Sequence, residues 1–323
     1  MTTDVIPLGT ASAVPTEERH LSALALERKG RVLLFDCGEG TQYRLQDAGL
    51  SWVRVDAVFV THLHGDHCYG LPGLLSTMAL QQRTDPVTLV LPPGGPAMLR
   101  AVPGVAPDWL PFPVEIVRLD EASESGVVYE ADEFIVEARR LEHRGDFAAG
   151  FRFEERTRPG RFDPERARAL GVPEGPAFGR LQNGKSVSLP DGTTVHPEQV
   201  LGPPRPGIAV AYVTDTRPCD GGRALAAEAD LLYHDSTFAD AHAARAKRTG
   251  HSTAREAATV ARDAEATRLL LGHLSARYPD PAPLVQEAQH VFPNTEEAEE
   301  LRRYALDPRE KEPDCSSGAM DES

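Results

Sequence analysis

The segment His62-Leu63-His64-Gly65-Asp66-His67 follows directly on the apolar run Val58-Phe59-Val60. Four side chains that bind metal ions thus crowd into six positions at the end of a strand-like stretch. Clustered zinc ions need imidazoles and a carboxylate held on a rigid edge, and a strand end supplies one. The remaining ligands must then arrive from distant segments, so the fold has to bring several strand ends to one place. A polar loop that is merely rich in histidine sets no such demand.

The rest of the chain supplies such ends. Apolar alternation marks strands at Val5 to Leu8 and from Leu21 to Phe35, separated by a turn-rich stretch from Gly9 to Glu18. Gly38-Glu39-Gly40-Thr41 opens a helix through Leu45, and Val53 to Thr61 is the strand that delivers the histidine loop. Leu71 to Gln82 has helical spacing, Val87 to Leu91 is a strand, and a helix-poor region follows through Ile116 to Leu119 and Phe134 to Leu141. Strands at Ile208 to Thr214, Leu231 to Tyr233 and Leu269 to Leu271 flank a helix at Thr253 to Ala264. Asp36, His62, Asp215, His234 and His273 all stand just past a strand. Layered α/β folds gather chemistry at one edge of the sheet, which makes these residues candidates for a single site.

Two zinc ions that share a water need about seven protein ligands. Beyond the loop, His143, Asp215 and His273 are the candidates. A carboxylate suits the bridging position because its two oxygens can reach separate ions, and Asp215 is the candidate for it. Taken alone, each has an ordinary explanation: a surface histidine, a turn-capping aspartate, a hydrogen-bonded core histidine. Their order and their placement after strands favour the metal. Cys68 reads as a small buried residue rather than a ligand.

Charge and composition narrow the class. The net charge is −15, and only Lys29, Lys185, Lys247 and Lys311 among the 34 basic residues are lysines. A surface rich in Asp and Glu keeps a protein soluble in high salt. No run approaches the roughly 18 apolar residues of a membrane span, no charged-then-apolar leader opens the sequence, and Cys37, Cys68, Cys219 and Cys315 lack paired spacing. A cytoplasmic protein is the expectation. Residues 151–207 differ from the rest: nine prolines and many glycines suggest an extended excursion, an insertion of about 151–205, rather than a packed core. Eight basic and five acidic residues between Phe151 and Lys185 make this stretch locally +3. Residues 1–306 are expected to form the catalytic domain, with that excursion as an insertion, and 307–323 an acidic, disordered tail.

At this point the chain resembles the metallo-β-lactamase superfamily and, within it, the short form of tRNase Z. The histidine loop marks the superfamily. Phe35-Asp36-Cys37-Gly38-Glu39-Gly40-Thr41-Gln42, Asp215-Thr216-Arg217-Pro218-Cys219, His251-Ser252-Thr253 and His273-Leu274-Ser275-Ala276-Arg277-Tyr278 resemble the narrower family's motifs. Gly171-Val172-Pro173-Glu174-Gly175-Pro176 is similar to the Gly-Pro motif of its protruding RNA-binding arm. Two positions depart: Asp235 stands where the family often has Glu, and Arg19-His20 where it has Arg-Asn.

The resemblance implies an α/β, four-layer αββα sandwich carrying two zinc ions per subunit. His62, His64 and His143 would hold one ion and Asp66, His67 and His273 the other, with Asp215 bridging. Asp66 would also orient the attacking water and accept its proton. The reaction implied is endonucleolytic removal of the 3′ trailer from precursor tRNA, leaving a tRNA 3′-hydroxyl and a trailer 5′-phosphate. His251, aided by His234, is the candidate donor of a proton to the leaving oxygen. Arg158, Arg161, Arg166, Arg168, Gly175, Pro176, Arg180 and Lys185 would grip the RNA backbone, and a homodimer is implied because one subunit's arm serves its partner's site. The alternative is another hydrolase on the same scaffold, such as a small phosphodiesterase, thioesterase or lactonase.

Overall fold

The computed structural model describes residues 2–120 and 125–308, and these fall into two compact units. The larger consists of Met1–Glu154 with Ile208–Leu306, the smaller of Glu155–Gly207.

Two seven-stranded mixed sheets build the larger unit. The first begins as a hairpin: Ala23–Arg28 pairs with Arg31–Phe35 across Lys29 and Gly30, both at positive φ (52° and 71°), as a two-residue hairpin turn requires. Val55–Phe59, Val87–Leu91 and Val114–Arg118 then add in parallel, while Thr3–Gly9 and Tyr304–Leu306 extend the other edge antiparallel. In the second sheet Ala209–Val213, Leu231–Asp235, Leu269–Gly272 and Thr295–Glu297 run parallel. Phe134–Arg140 and Ala149–Glu155 lie on its antiparallel side with Ser125–Glu130. The central strands are buried on both faces, which explains why they read as continuous apolar runs.

Three apolar layers hold these elements together. Between the sheets, Phe35, Phe59, Phe151, Phe153, Tyr212 and Tyr233 interdigitate. The outer face of the first sheet packs through Ile6, Val32, Leu34 and Val58 on the helices Thr41–Asp47 and Gly70–Leu80. Ala211, Val213, Leu232 and Leu271 of the second sheet pack on Ala254–Asp263 and Ala282–Gln289. Helix, sheet, sheet, helix is the expected four-layer order. The helix Ala254–Asp263 starts at Thr253, whose hydroxyl accepts from the Glu256 amide while Glu256 caps the Thr253 amide in return. Its alanines let it lie close to the sheet. Among the described residues no helix is long and apolar enough to cross a membrane.

One expectation is refined and one changes. The helix-poor region after Leu91 opens with one helix the sequence does not mark, Gly95–Ala101; Gly94-Gly95-Pro96 looks like a turn but starts the helix, Gly94 turning at φ 87° and Pro96 entering the first turn. Residues 151–154 belong to the strand Ala149–Glu155, so the insertion spans 155–207. It is not merely extended. Helices Pro164–Ala169 and Pro176–Gln182 and a hairpin of Val187–Ser188 with Thr194–Val195 enclose a small core of Ala167, Val172, Leu181, Val187, Val195 and Val200. Pro164 and Pro176 stand at helix starts, where a missing N–H costs nothing, so these prolines begin structure. From residue 309 onward, the expected acidic tail lies outside the described residues.

Candidate metal centre

The parallel strands deliver the site. Asp36 follows Arg31–Phe35, His62 stands three residues past Phe59, Asp215 follows Val213 and Thr214, and His273 follows Leu269–Gly272. Asp36, Asp215 and His273 adopt left-handed backbone, with φ of 58°, 47° and 54°. Asp and His tolerate that region better than most residues, yet it still costs of order 1 kcal/mol each, which the surrounding packing must offset. The chain turns off each strand at once, at the shared rim.

There the seven candidate ligands converge. One group comprises His62, His64, His143 and Asp215, another Asp66, His67 and His273, and within each group the ligand atoms lie within 4.8 Å of one another. Asp215 faces both. Its Oδ1 is 2.9 Å from His273 Nε2 and 3.2 Å from His67 Nε2, while its Oδ2 is 3.6 Å from His62 Nε2 and 3.8 Å from His143 Nε2. Asp66 Oδ2 lies 3.4 Å from His67 Nε2 and 3.6 Å from His273 Nε2. Nε2 of His67, of His143 and of His273 is buried without a hydrogen-bond partner. Three such nitrogens converge on the carboxylates of Asp66 and Asp215, and that donor set fits metal.

The far ring nitrogens are held from behind. Asp36 accepts from His67 Nδ1 at 2.7 Å, and the Thr61 hydroxyl joins Asp36 to His62 Nδ1. His143 Nδ1 meets the Gly250 carbonyl at 3.1 Å. Asp235 Oδ1 accepts from Thr237, whose hydroxyl lies 2.9 Å from His273 Nδ1. Such outer partners fix which nitrogen faces the ion. The Ala13 amide, itself in left-handed backbone at φ 62°, donates to Asp66 Oδ2 at 2.9 Å.

The electrostatics agree. Burial, joined by neighbouring His67, holds His62 well below the usual histidine range. Burial also opposes charge on His67 and His273, but facing carboxylates win: Asp215, Asp36 and Asp66 hold His67 well above its ordinary value, and Asp215 lifts His273 to about 10. Despite burial, His67 and His273 keep the Asp66 carboxyl far below the usual carboxylate range. The carboxylates thus demand nearby positive charge, which cations supply in place of protons.

His251, the candidate proton donor, comes to the same rim. Its ring stacks on His273 at 5.2 Å and lies 5.0 Å from His143, and its Nδ1 is 2.9 Å from Asp235 Oδ2. The shorter Asp235 therefore steadies His251 directly and His273 through Thr237. The structure does not bring His234 to the site. Leu231 and Tyr233 face the inter-sheet core, whereas Leu232 faces the helices, and His234 shares the parity of Leu232. It is wholly buried, with Nδ1 on the carbonyl of Asp235, and among the described residues no hydrogen bond or ring contact joins it to the candidate ligands. Apart from a threonine standing one residue before His62, nothing in the sequence marks Thr61, Thr237 or the Gly250 carbonyl for these roles.

The arm residues lie in the smaller unit. Arg161, Arg166, Arg168, Arg180 and Lys185 are exposed there, as are Gly175 and Pro176, which begin the helix Pro176–Gln182. Arg168 is engaged by Glu174 at 2.6 Å, and Arg158 is half-buried, its backbone bridged to Arg205.

A family model described as anti-Pycsar protein Apyc1 matches residues 3–99, which cover the first sheet through Val87–Leu91 and the histidine loop. The metallo-beta-lactamase fold protein YhfI from Bacillus subtilis superimposes with a TM-score of 0.66 at 16% identity, covering 94% of this chain and 99% of that one. That likeness shows the fold. A ribonuclease Z of Salinibacter ruber is 79% identical over 323 residues, all of both chains. The chain belongs to the ribonuclease Z family. Within it, the crystal structure of human tRNase Z, short form, gives a TM-score of 0.66 at 30% identity, covering 93% of this chain and 98% of that one.

Proposed function

We propose that this chain removes the 3′ trailer of precursor tRNA with two zinc ions, one of which His62, His64 and His143 would hold and the other Asp66, His67 and His273, with Asp215 facing both groups. The two-faced carboxylate of Asp215 carries the reading, since each of its oxygens addresses a different histidine pair. Bound there, zinc would supply a water of near-neutral pKa and positive charge to offset that on the reacting phosphate. Asp66 orients that water and takes its proton, held in place by the Ala13 amide. His251 gives a proton to the departing ribose 3′-oxygen, and Asp235 fixes its ring. The products are a tRNA 3′-hydroxyl and a trailer 5′-phosphate.

The basic residues of the smaller unit, Arg158, Arg161, Arg166, Arg168, Arg180 and Lys185, with the Gly175-Pro176 turn, bind the RNA through its backbone. Phosphate contacts are local, so a net charge of −15 does not prevent them. The chain acts as a homodimer in the cytoplasm, where the free, buried Cys37, Cys68 and Cys219 stay reduced.

Metal analysis tests the centre. The purified protein should carry about two zinc ions per chain, and Asp215→Ala should lose most of that content. One ion per chain, or full retention by the variant, would contradict the bridged pair.

A further inference from the structure

Two hollows lie on the His64 side of the metal centre. Beside His62 and His64 a hollow of about 230 Å³ is lined by Leu63, Pro92, Pro93, Asp146 and Phe147. Pro92 and Pro93 also line a larger hollow of about 500 Å³, whose walls include Arg100 and Arg118. Pro92 and Pro93 thus line both hollows, the one beside the candidate ligands and the one that holds two guanidinium groups. Arg100 and Arg118 are exposed and form no ion pair among the described residues. Of the two acids lining these hollows, Asp146 sits 3.8 Å from His64 Nε2 and Asp120 already has a partner of its own.

We propose that these hollows hold the trailer, the single strand downstream of the scissile phosphate; the inference rests on the reading of the site as a tRNA 3′-processing centre. The polarity of the reaction argues for it. The tRNA keeps the 3′-oxygen, which needs a proton from His251, so the tRNA end lies toward His251 and His273. The trailer keeps the phosphate and must leave elsewhere. His64 has ring contacts with His62 and His143 but none with His251, and the smaller hollow lies on its side. Leu63, Pro93 and Phe147 offer flat apolar surface to bases, and Arg100 and Arg118 offer charge to phosphates farther on. Apolar stacking surface combined with cationic backbone contacts is how proteins hold single strands regardless of sequence.

The test uses the zinc-loaded full-length protein and the double variant Arg100→Gln/Arg118→Gln, with precursors whose trailers are about one and about eight nucleotides long. The unaltered protein should show a lower KM for the long trailer. The variant should lose that advantage, with KM for the long trailer rising about tenfold and its dependence on salt, on logarithmic axes, flattening by about 1.4, or roughly 0.7 per lost phosphate contact. Its kinetics on the short trailer and on a nitrophenyl phosphodiester should be unchanged. An unaltered preference for the long trailer, or equal loss on both precursors, overturns the assignment of the hollows. If neither protein cuts either precursor while both cleave the small diester, the tRNA reading itself fails, and this proposal with it.

Discussion

His251 occupies a place that only folding creates: sixteen residues from Asp235 in sequence, it leans on that carboxylate and stacks on His273, a candidate ligand from another strand. If it protonates the leaving oxygen, the need for it depends on how poor the leaving group is. His251→Gln should lower kcat on precursor tRNA by about a hundredfold or more, and far less on a nitrophenyl diester whose leaving group needs no proton. Steady-state assays on both substrates check this, and equal losses would make the residue structural. The histidine loop was legible from sequence because its ligands are neighbours along the chain. Asp215, His143 and His273 were legible because each follows a strand end. Thr61 and Thr237 were not, since their value lies in hydrogen bonds that tertiary packing creates. His234 shows the limit of strand-end reasoning, which locates a residue along the sheet but not the face it points to. Alternation from Leu231 to Tyr233 is the signal that separates the two faces.

Among elements, the parallel strands were plain as apolar runs, whereas the short helices were hidden by the prolines and glycines that start them. The insertion illustrates this most clearly. Proline content suggested open chain, yet alternation of small and aliphatic residues between the prolines suffices for a separate core. Strand Ala149–Glu155 leads into it and Ala209–Val213 leads out, and these two strands pair with each other. Replacing residues 157–205 with a short Gly/Ser linker therefore asks little of the sheet, because closing a short loop between paired strands costs little. The variant should bind precursor tRNA at least about tenfold more weakly while hydrolysing the small diester normally. Filter binding and diester assays measure both, and parallel loss would show that the unit supports the catalytic fold instead of the RNA.

At the scale of the whole molecule, a net charge of −15 repels itself, and that repulsion weakens as salt screens it. The melting temperature should climb between about 0.1 M and about 2 M potassium chloride, even as RNA binding weakens; a flat or falling melting curve would mean the acidic surface has no such role. The layered fold, the rim of strand ends and the basic insertion all converge on one chemical claim: metal-activated water cuts the bond between tRNA and its trailer. The most direct measurement is to incubate the protein with a 3′-extended precursor, with chelator and without, and to map both new ends. The account predicts a tRNA 3′-hydroxyl and a trailer 5′-phosphate, abolished by chelator and restored by zinc. A 2′,3′-cyclic phosphate on the tRNA, or cleavage indifferent to chelator, would contradict it.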